Sequence, residues 1–361
     1  MNIRKFFFPI YLVLVVGGIL LISELVSMQI NHKRGIELPF FIGSGGAVGS
    51  FRGDERFSVL DPHLGYGRGE REPSVEEFQS RYNWHRGFAI YSDKPLDQLD
   101  RPLILTLGGS TTDPLNHETS WPEELSQLLS ERGISGTVVN GAAGGYSTNQ
   151  ELLKLIRDGI EFRPDLVISY SAVNDRGVYG PLPYPMVHRY QRELLANITQ
   201  SNLLPLLPNT ISVLKSIGSD GEDNQLRYTL GLETQRNLGE WYARNLMLMN
   251  AVAQAGGAEF LGVIQPNAYV GHYEWQARYE DDGKPKEYID ALRALYEQIS
   301  DLPASAGYVH SFIEIFDGTD GVYKNDGVHT LKKGDRIVAE NMLALIEKET
   351  SLLQSAAAQH K

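Results

Sequence analysis

Four short segments hold the residue types that acyl transfer requires: Gly108-Gly109-Ser110, Asn140 to Gly145, Val173-Asn174-Asp175 and Asp326-Gly327-Val328-His329. A serine hydroxyl is a poor nucleophile at its ordinary pKa and needs a base beside it. His329 serves as that base if its other ring nitrogen is held. Asp326, three residues earlier, suits that task, holding Nδ1 and leaving Nε2 toward Ser110. The tetrahedral intermediate then needs donors for its oxyanion, and the backbone N–H groups of Ser110 and Gly145 with the Asn174 amide are candidates. Each part alone has a plainer reading. Gly-Gly-Ser-Thr is a common strand-to-helix turn with a capping hydroxyl, Asn140 suits a turn, and Asp326 suits a helix cap. Among nine histidines an Asp three residues ahead of one is a weak motif. The other eight read as surface or core residues. The conjunction of four segments in order is what carries weight.

The elements around them supply the positions. Leu103 to Leu107, Thr137 to Asn140, Leu166 to Tyr170, Glu259 to Ile264 and Tyr308 to Phe316 are apolar runs expected to be strands. Between them lie helical patterns: Trp121 onward to a stop at Gly133, Asn149 to Ile160, Leu238 to Ala255, Tyr288 to Ile299 and a closing helix from Leu331 to Leu353. Strand and helix alternating at intervals of roughly thirty residues predict a parallel sheet covered on both faces. Ligands bind such sheets at the carboxyl ends of the strands. Three of the four segments directly follow predicted strands, and the fourth precedes the closing helix.

The ends of the chain and its composition bound the rest. Arg4 and Lys5 precede an uninterrupted apolar run of 17 residues, Phe6 to Ile22, which favours an uncleaved signal anchor over a cleaved signal peptide. Residues 1–30 read as this transmembrane segment, 31–55 as a linker rich in Gly and Ser, and 56–354 as one domain. The Pro-rich stretch 176–239 is expected to be an insertion over one end of the sheet, and Asn197-Ile198-Thr199 within it fits a short glycosylation pattern. This arrangement puts the domain outside the cytoplasm, in a periplasm or at a cell surface. No cysteine occurs in the 361 residues, which excludes disulfides, a thiol nucleophile and thiolate metal sites. No cluster has metal-ligand spacing, so no metal or cofactor is expected. A formal charge of −12 argues against a nucleic-acid partner.

On these motifs the sequence resembles the SGNH (GDSL-like) hydrolase superfamily. The resemblance covers about residues 100–177 and 240–345. It departs at Gly109, where the family usually has Asp, and at Ala172, where Gly is common. It implies a three-layer α/β/α flavodoxin-like fold with a five-stranded parallel sheet of order 2-1-3-4-5. It also implies a Ser110, His329, Asp326 esterase, with Ser110, Gly145 and Asn174 as oxyanion donors and Gly144 as the alternative one register back. Members outside the cytoplasm often act on O-acetyl groups of carbohydrates, so the expected partner is an acylated small molecule or a cell-envelope or exported glycan, met at the membrane. An O-acetyltransferase using the same triad and a non-catalytic glycan-binding protein are the alternatives. Tyr146 and Gln265 stand at strand ends and are candidates for substrate contact, as are Tyr170, Tyr179, Tyr184, Tyr269, Tyr273 and Trp275 for stacking against a sugar.

Overall fold

The computed structural model describes residues 3–33, 58–61, 64–68, 83–176, 238–270 and 286–353. The linker, most of the 176–239 stretch with Asn197, and Tyr179, Tyr184, Tyr273 and Trp275 lie outside the described residues. Contacts group the chain into two units, Met1–Gly67 with Val187–Arg227, and Arg68–Met186 with Tyr228–Lys361.

In the first unit, Ile3–Lys33 form one helix, α1. Its segment Tyr11–Gln29 has a mean hydropathy of 2.2, enough by length and composition to cross a membrane. The apolar side chains of this segment, Val13 and Leu14 among them, are exposed. Ser58–Asp61 (β1) and Gly65–Arg68 (β2) pair as a small two-stranded sheet.

The second unit is built on a mixed sheet. Five strands run parallel: Leu103–Gly108 (β5), Thr137–Asn140 (β6), Leu166–Ser171 (β7), Glu259–Ile264 (β8) and Val309–Ser311 (β9). Their spatial order is β6-β5-β7-β8-β9, the 2-1-3-4-5 order expected. Among the described residues the sheet has seven strands rather than five. Asn83–His85 (β3) and Phe88–Ile90 (β4) form a hairpin whose second strand adds antiparallel to β6. Its turn residues Arg86 and Gly87 both have positive φ, 48° and 77°, a turn whose twist suits a two-residue hairpin. Three-residue strands joined through an arginine carry too little alternation to be read from sequence. The fifth parallel strand also ends early. Val309–Ser311 pairs with β8, and a turn closed by Ile315 N–H to the Phe312 carbonyl at 3.1 Å takes over.

The central strands are buried along their length, because helices cover both faces. Trp121–Glu131 (α2) packs on Lys332–Glu349 (α7). Thr148–Arg157 (α3), Leu238–Ala255 (α4) and Lys286–Ile299 (α5) pack side by side. Right-handed crossovers account for the division: β5 to β6 steps one way across the sheet and β6 to β7 the other, so their connecting helices fall on opposite faces. A one-turn helix, Leu302–Ser305 (α6), leads into β9. Apolar positions of α2, Leu125, Leu128 and Leu129, and of α7, Val338, Met342 and Ile346, enter one continuous core. Arg336 on α7 reaches Glu131 at 2.8 Å and Glu124 at 3.3 Å on α2, pinning the pair at its rim. The result fixes the carboxyl ends of β5, β6 and β7 side by side.

Candidate active site

His329 and Asp326 stand half-buried at this end. Asp326 Oδ2 pairs with His329 Nδ1, and Oδ1 accepts the N–H groups of Val328 and His329, each at 3.0 Å. Burial alone would raise the Asp326 carboxyl. The His329 ring and the two backbone donors outweigh that and hold it well below the usual carboxylate range. The two side chains are 28% and 29% exposed. His329 Nε2 has no hydrogen-bond partner among the described residues. The same holds for Ser110 Oγ. Catalytic hydrogen bonds are often open without substrate and close in its presence.

Ser110 follows β5 in a tight turn, in which Thr112 and Asp113 N–H groups both bond the Gly109 carbonyl, at 3.1 and 3.0 Å. The Asn140 amide ties this turn to the next strand, donating to the Thr112 carbonyl at 2.7 Å, while its Oδ1 accepts Ala142 N–H at 3.0 Å. Asn140 is thus a brace between two strand ends. The turn after β6 separates its two glycines by function. Gly144 N–H donates to Asp113 Oδ2 at 2.8 Å. Gly145, at φ +85°, presents an N–H with no partner among the described residues. Of the two register choices, the structure leaves Gly145 open and uses Gly144 to anchor the loop.

Asn174 lies in a short 3-10 turn, Val173–Arg176, after β7. Its Nδ2 donates to the Tyr146 carbonyl at 2.8 Å, which leaves its second N–H for another acceptor. Gly109 explains a departure noted from sequence. A Cβ there would stand 2.5 Å from Asn174 Nδ2 and 3.0 Å from the Tyr146 carbonyl, so no side chain fits without moving the amide. Tyr146 itself is 1% exposed and offers the site a carbonyl rather than a ring. Gln265, 3% exposed, accepts from Thr111 Oγ1 at 3.3 Å beneath the nucleophile turn, and its Nε2 is buried without a partner. Tyr170 and Tyr269 are core residues.

Sequence reasoning passed over three groups around this centre. Asp113 is the first. The second is a buried pair, His117 and Asp335, with Nδ1 to Oδ2 at 3.0 Å and His117 Nε2 to the Ser110 carbonyl at 2.9 Å. The third is Glu151 on α3, buried against Ser169 at 2.5 Å with one oxygen unpartnered. Burial pushes the Glu151 carboxyl up to about 8. Asp175, next to Asn174, accepts from Thr148 N–H and Oγ1 and is pushed up by burial to about 7. The short-range signal Asp113-x-x-x-His117 was available in the sequence, but nothing near it named Asp335.

Among the described residues no three His, Asp or Glu side chains gather to hold a metal. A cleft of about 370 Å³ lined by Arg86, Arg101, Phe162 and Arg163 opens at the amino ends of the strands and shares no residue with this centre. The Ser110 turn, the His329–Asp326 pair and the open Gly145 N–H stand instead at the carboxyl ends, where sheets of this type bind ligands.

Fold and site together define a three-layer α/β/α protein with a serine and a His–Asp pair at its ligand-binding edge. No family model matches the chain, and no curated protein matches it. Among solved structures it is similar to an acylhydrolase from Bacteroides fragilis, at 15% identity and a TM-score of 0.41, covering 70% of this chain and 91% of that one. It is similar to the same degree to a variant of an acetyl-xylooligosaccharide esterase from Geobacillus, at 13% identity and a TM-score of 0.41, covering 69% and 95%. A third is the protein TesA, at 18% identity and a TM-score of 0.39, covering 68% and 99%.

Proposed function

We propose that this chain is a serine esterase that removes acyl groups, O-acetyl in particular, from a cell-envelope or exported carbohydrate while held at the membrane by α1. The observation that supports it best is an imidazole held by a carboxylate at Nδ1 with Nε2 open, its ring 6.5 Å from that of His117, which bonds the Ser110 carbonyl. The reaction follows from these atoms. Ser110 Oγ attacks the ester carbonyl carbon as its proton passes to His329 Nε2. Asp326 stabilises the imidazolium that forms. The carbonyl oxygen becomes an oxyanion held by Ser110 N–H, Gly145 N–H and Asn174 Nδ2. The C–O bond to the sugar breaks, and His329 returns the proton to the leaving alkoxide. Water, deprotonated by His329, then attacks the acyl-enzyme and releases the acid. The apolar, exposed face of α1 and the basic residues Arg4 and Lys5 ahead of it support a membrane anchor with the domain outside the cytoplasm.

Acetate release from an acetylated oligosaccharide and from an aryl acetate, wild type against Ser110→Ala, tests this. The expected result is loss of both activities with the fold intact. Full activity in Ser110→Ala overturns the assignment, and acetate moved onto an unacetylated glycan in place of water would convert it to a transferase.

A further inference from the structure

We propose that the buried His117–Asp335 pair is a strut that sets how Ser110 meets His329, with His117 acting as a positioning residue; this rests on the serine-esterase reading above. His117 and Asp335 are 0% and 1% exposed at their side chains, so water does not reach either. Both ring nitrogens are engaged. The Ser110 carbonyl can only accept, so Nε2 carries a proton and donates it at 2.9 Å. Nδ1 faces Asp335 Oδ2 at 3.0 Å. No nitrogen is left to move a proton for substrate, which separates this histidine from a base.

What the pair does have is reach. Asp335 Oδ1 accepts from Thr330 Oγ1 at 2.5 Å, and Thr330 directly follows His329. A chain of bonds therefore runs from the carbonyl of the nucleophile, through an imidazole and a carboxylate, to the residue beside the base. The His117 and His329 rings stand 6.5 Å apart between centroids, so the strut lies beside the His329 ring. A second link runs parallel to it. Lys324 Nζ donates to the Asn116 carbonyl at 2.7 Å, and Lys324 N–H bonds the His329 carbonyl at 2.7 Å. Helix α7 brings Asp335 close enough because Gly334 precedes it: a Cβ there would stand 2.6 Å from the Val322 carbonyl and 2.9 Å from Thr330. A carboxylate in the first turn of α7 is also favoured by the helix dipole.

A buried hydrogen-bonded pair is seldom the most stabilising choice at a position, since well-packed apolar residues often do as well. Its value here is direction: an imidazole of fixed width between two acceptors holds Ser110 at one distance from the His329 loop. A misplacement of about 1 Å between reacting groups costs on the order of 10²-fold in rate.

The test uses the full chain and two readouts: labelling of Ser110 by a fluorophosphonate, followed by intact mass, and kcat and KM on an aryl acetate. Near-UV circular dichroism and melting check the fold. His117→Ala is expected to slow labelling and kcat by about 10- to 100-fold, with KM changed by less than about twofold. His117→Gln, whose amide keeps a donor where Nε2 was, is expected to recover most of that loss. A folded His117→Ala with wild-type labelling and kcat overturns the strut, as does a folded His117→Gln no better than it. Should His117→Ala not fold, Asp335→Asn decides: a fall in kcat at constant KM is expected, and wild-type kcat overturns the proposal. Wild-type protein that does not label at Ser110, together with an active Ser110→Ala, would instead sink the esterase reading. Labelled wild type with equally labelled His117 variants sinks the strut alone.

Discussion

Among the described residues stand two His–Asp pairs with their rings side by side, and they differ in almost every respect except chemistry. His329 and Asp326 are three residues apart, nearly a third exposed, and leave Nε2 open. His117 and Asp335 are 218 residues apart, sealed from water, and have no free nitrogen. The same two side-chain types leave a ring nitrogen open in one place and engage both in the other. What decides is the remaining ring nitrogen: facing the cleft it is available to a substrate, facing a carbonyl it is spent. A pairing of His with Asp is therefore not by itself a mark of catalysis.

The largest effect expected from breaking this contrast is at the open pair. His329→Ala should lower kcat on an aryl acetate by on the order of 10⁴-fold or more, since the base of a serine mechanism is lost. A loss no larger than that of His117→Ala would erase the distinction between the two histidines. Next comes the room the open side needs. Gly109→Ala places a methyl against the Asn174 amide and should cost about 10²-fold in kcat, the cost of one oxyanion donor; steady-state kinetics with little change in melting temperature would bear this out.

The sealed pair should show its larger effect in stability. His117→Ala leaves one buried oxygen of Asp335 without its ring partner and should destabilise the fold by about 1–3 kcal/mol in denaturant titration. His329→Ala, at a wetter site, should cost far less.

The smallest effect sharpens the role of the partner. Asp326 has an imidazole beside it and sits below the usual carboxylate range. Glu151 has only hydroxyls, and burial raises it to about 8. A raised carboxyl binds its proton more tightly in the folded chain. Its contribution is full below about pH 4.5 and is lost as pH rises to about 8. Asp326 runs the other way: its contribution is full above the ordinary aspartate range and is lost as pH falls below it. Melting followed from pH 5 to pH 8.5 should show a decline in wild type that is shallower in Glu151→Gln; an unchanged slope would remove Glu151 as its source.

Sequence made the open pair visible because its parts are neighbours on one turn. It could not reveal the sealed pair, because a contact between residues 117 and 335 exists only once α7 has docked on α2. The fold divides in the same way. Strand β8 and helix α4 lie where their apolar patterns placed them, at Glu259–Ile264 and Leu238–Ala255, since long runs of one periodicity determine local structure. The hairpin β3–β4 escaped because its strands gain their identity from pairing with β6. The apolar run after Ser311 misled because it serves the core from turns. The sequence favoured Gly145 over Gly144 by register alone, and the Asp113 carboxylate, a long-range partner, engages Gly144.

The span of the sealed pair has a consequence for how the protein matures. His117, which bonds the Ser110 carbonyl, is itself held by Asp335, 218 residues further along the chain. A growing chain emerges from its N-terminus, and early segments begin to fold before later ones exist. Ser110 and His117 are therefore made before the helix that carries Asp335. A nascent or truncated chain ending before Asp335 carries Ser110 and His117 without the carboxylate that holds the His117 ring.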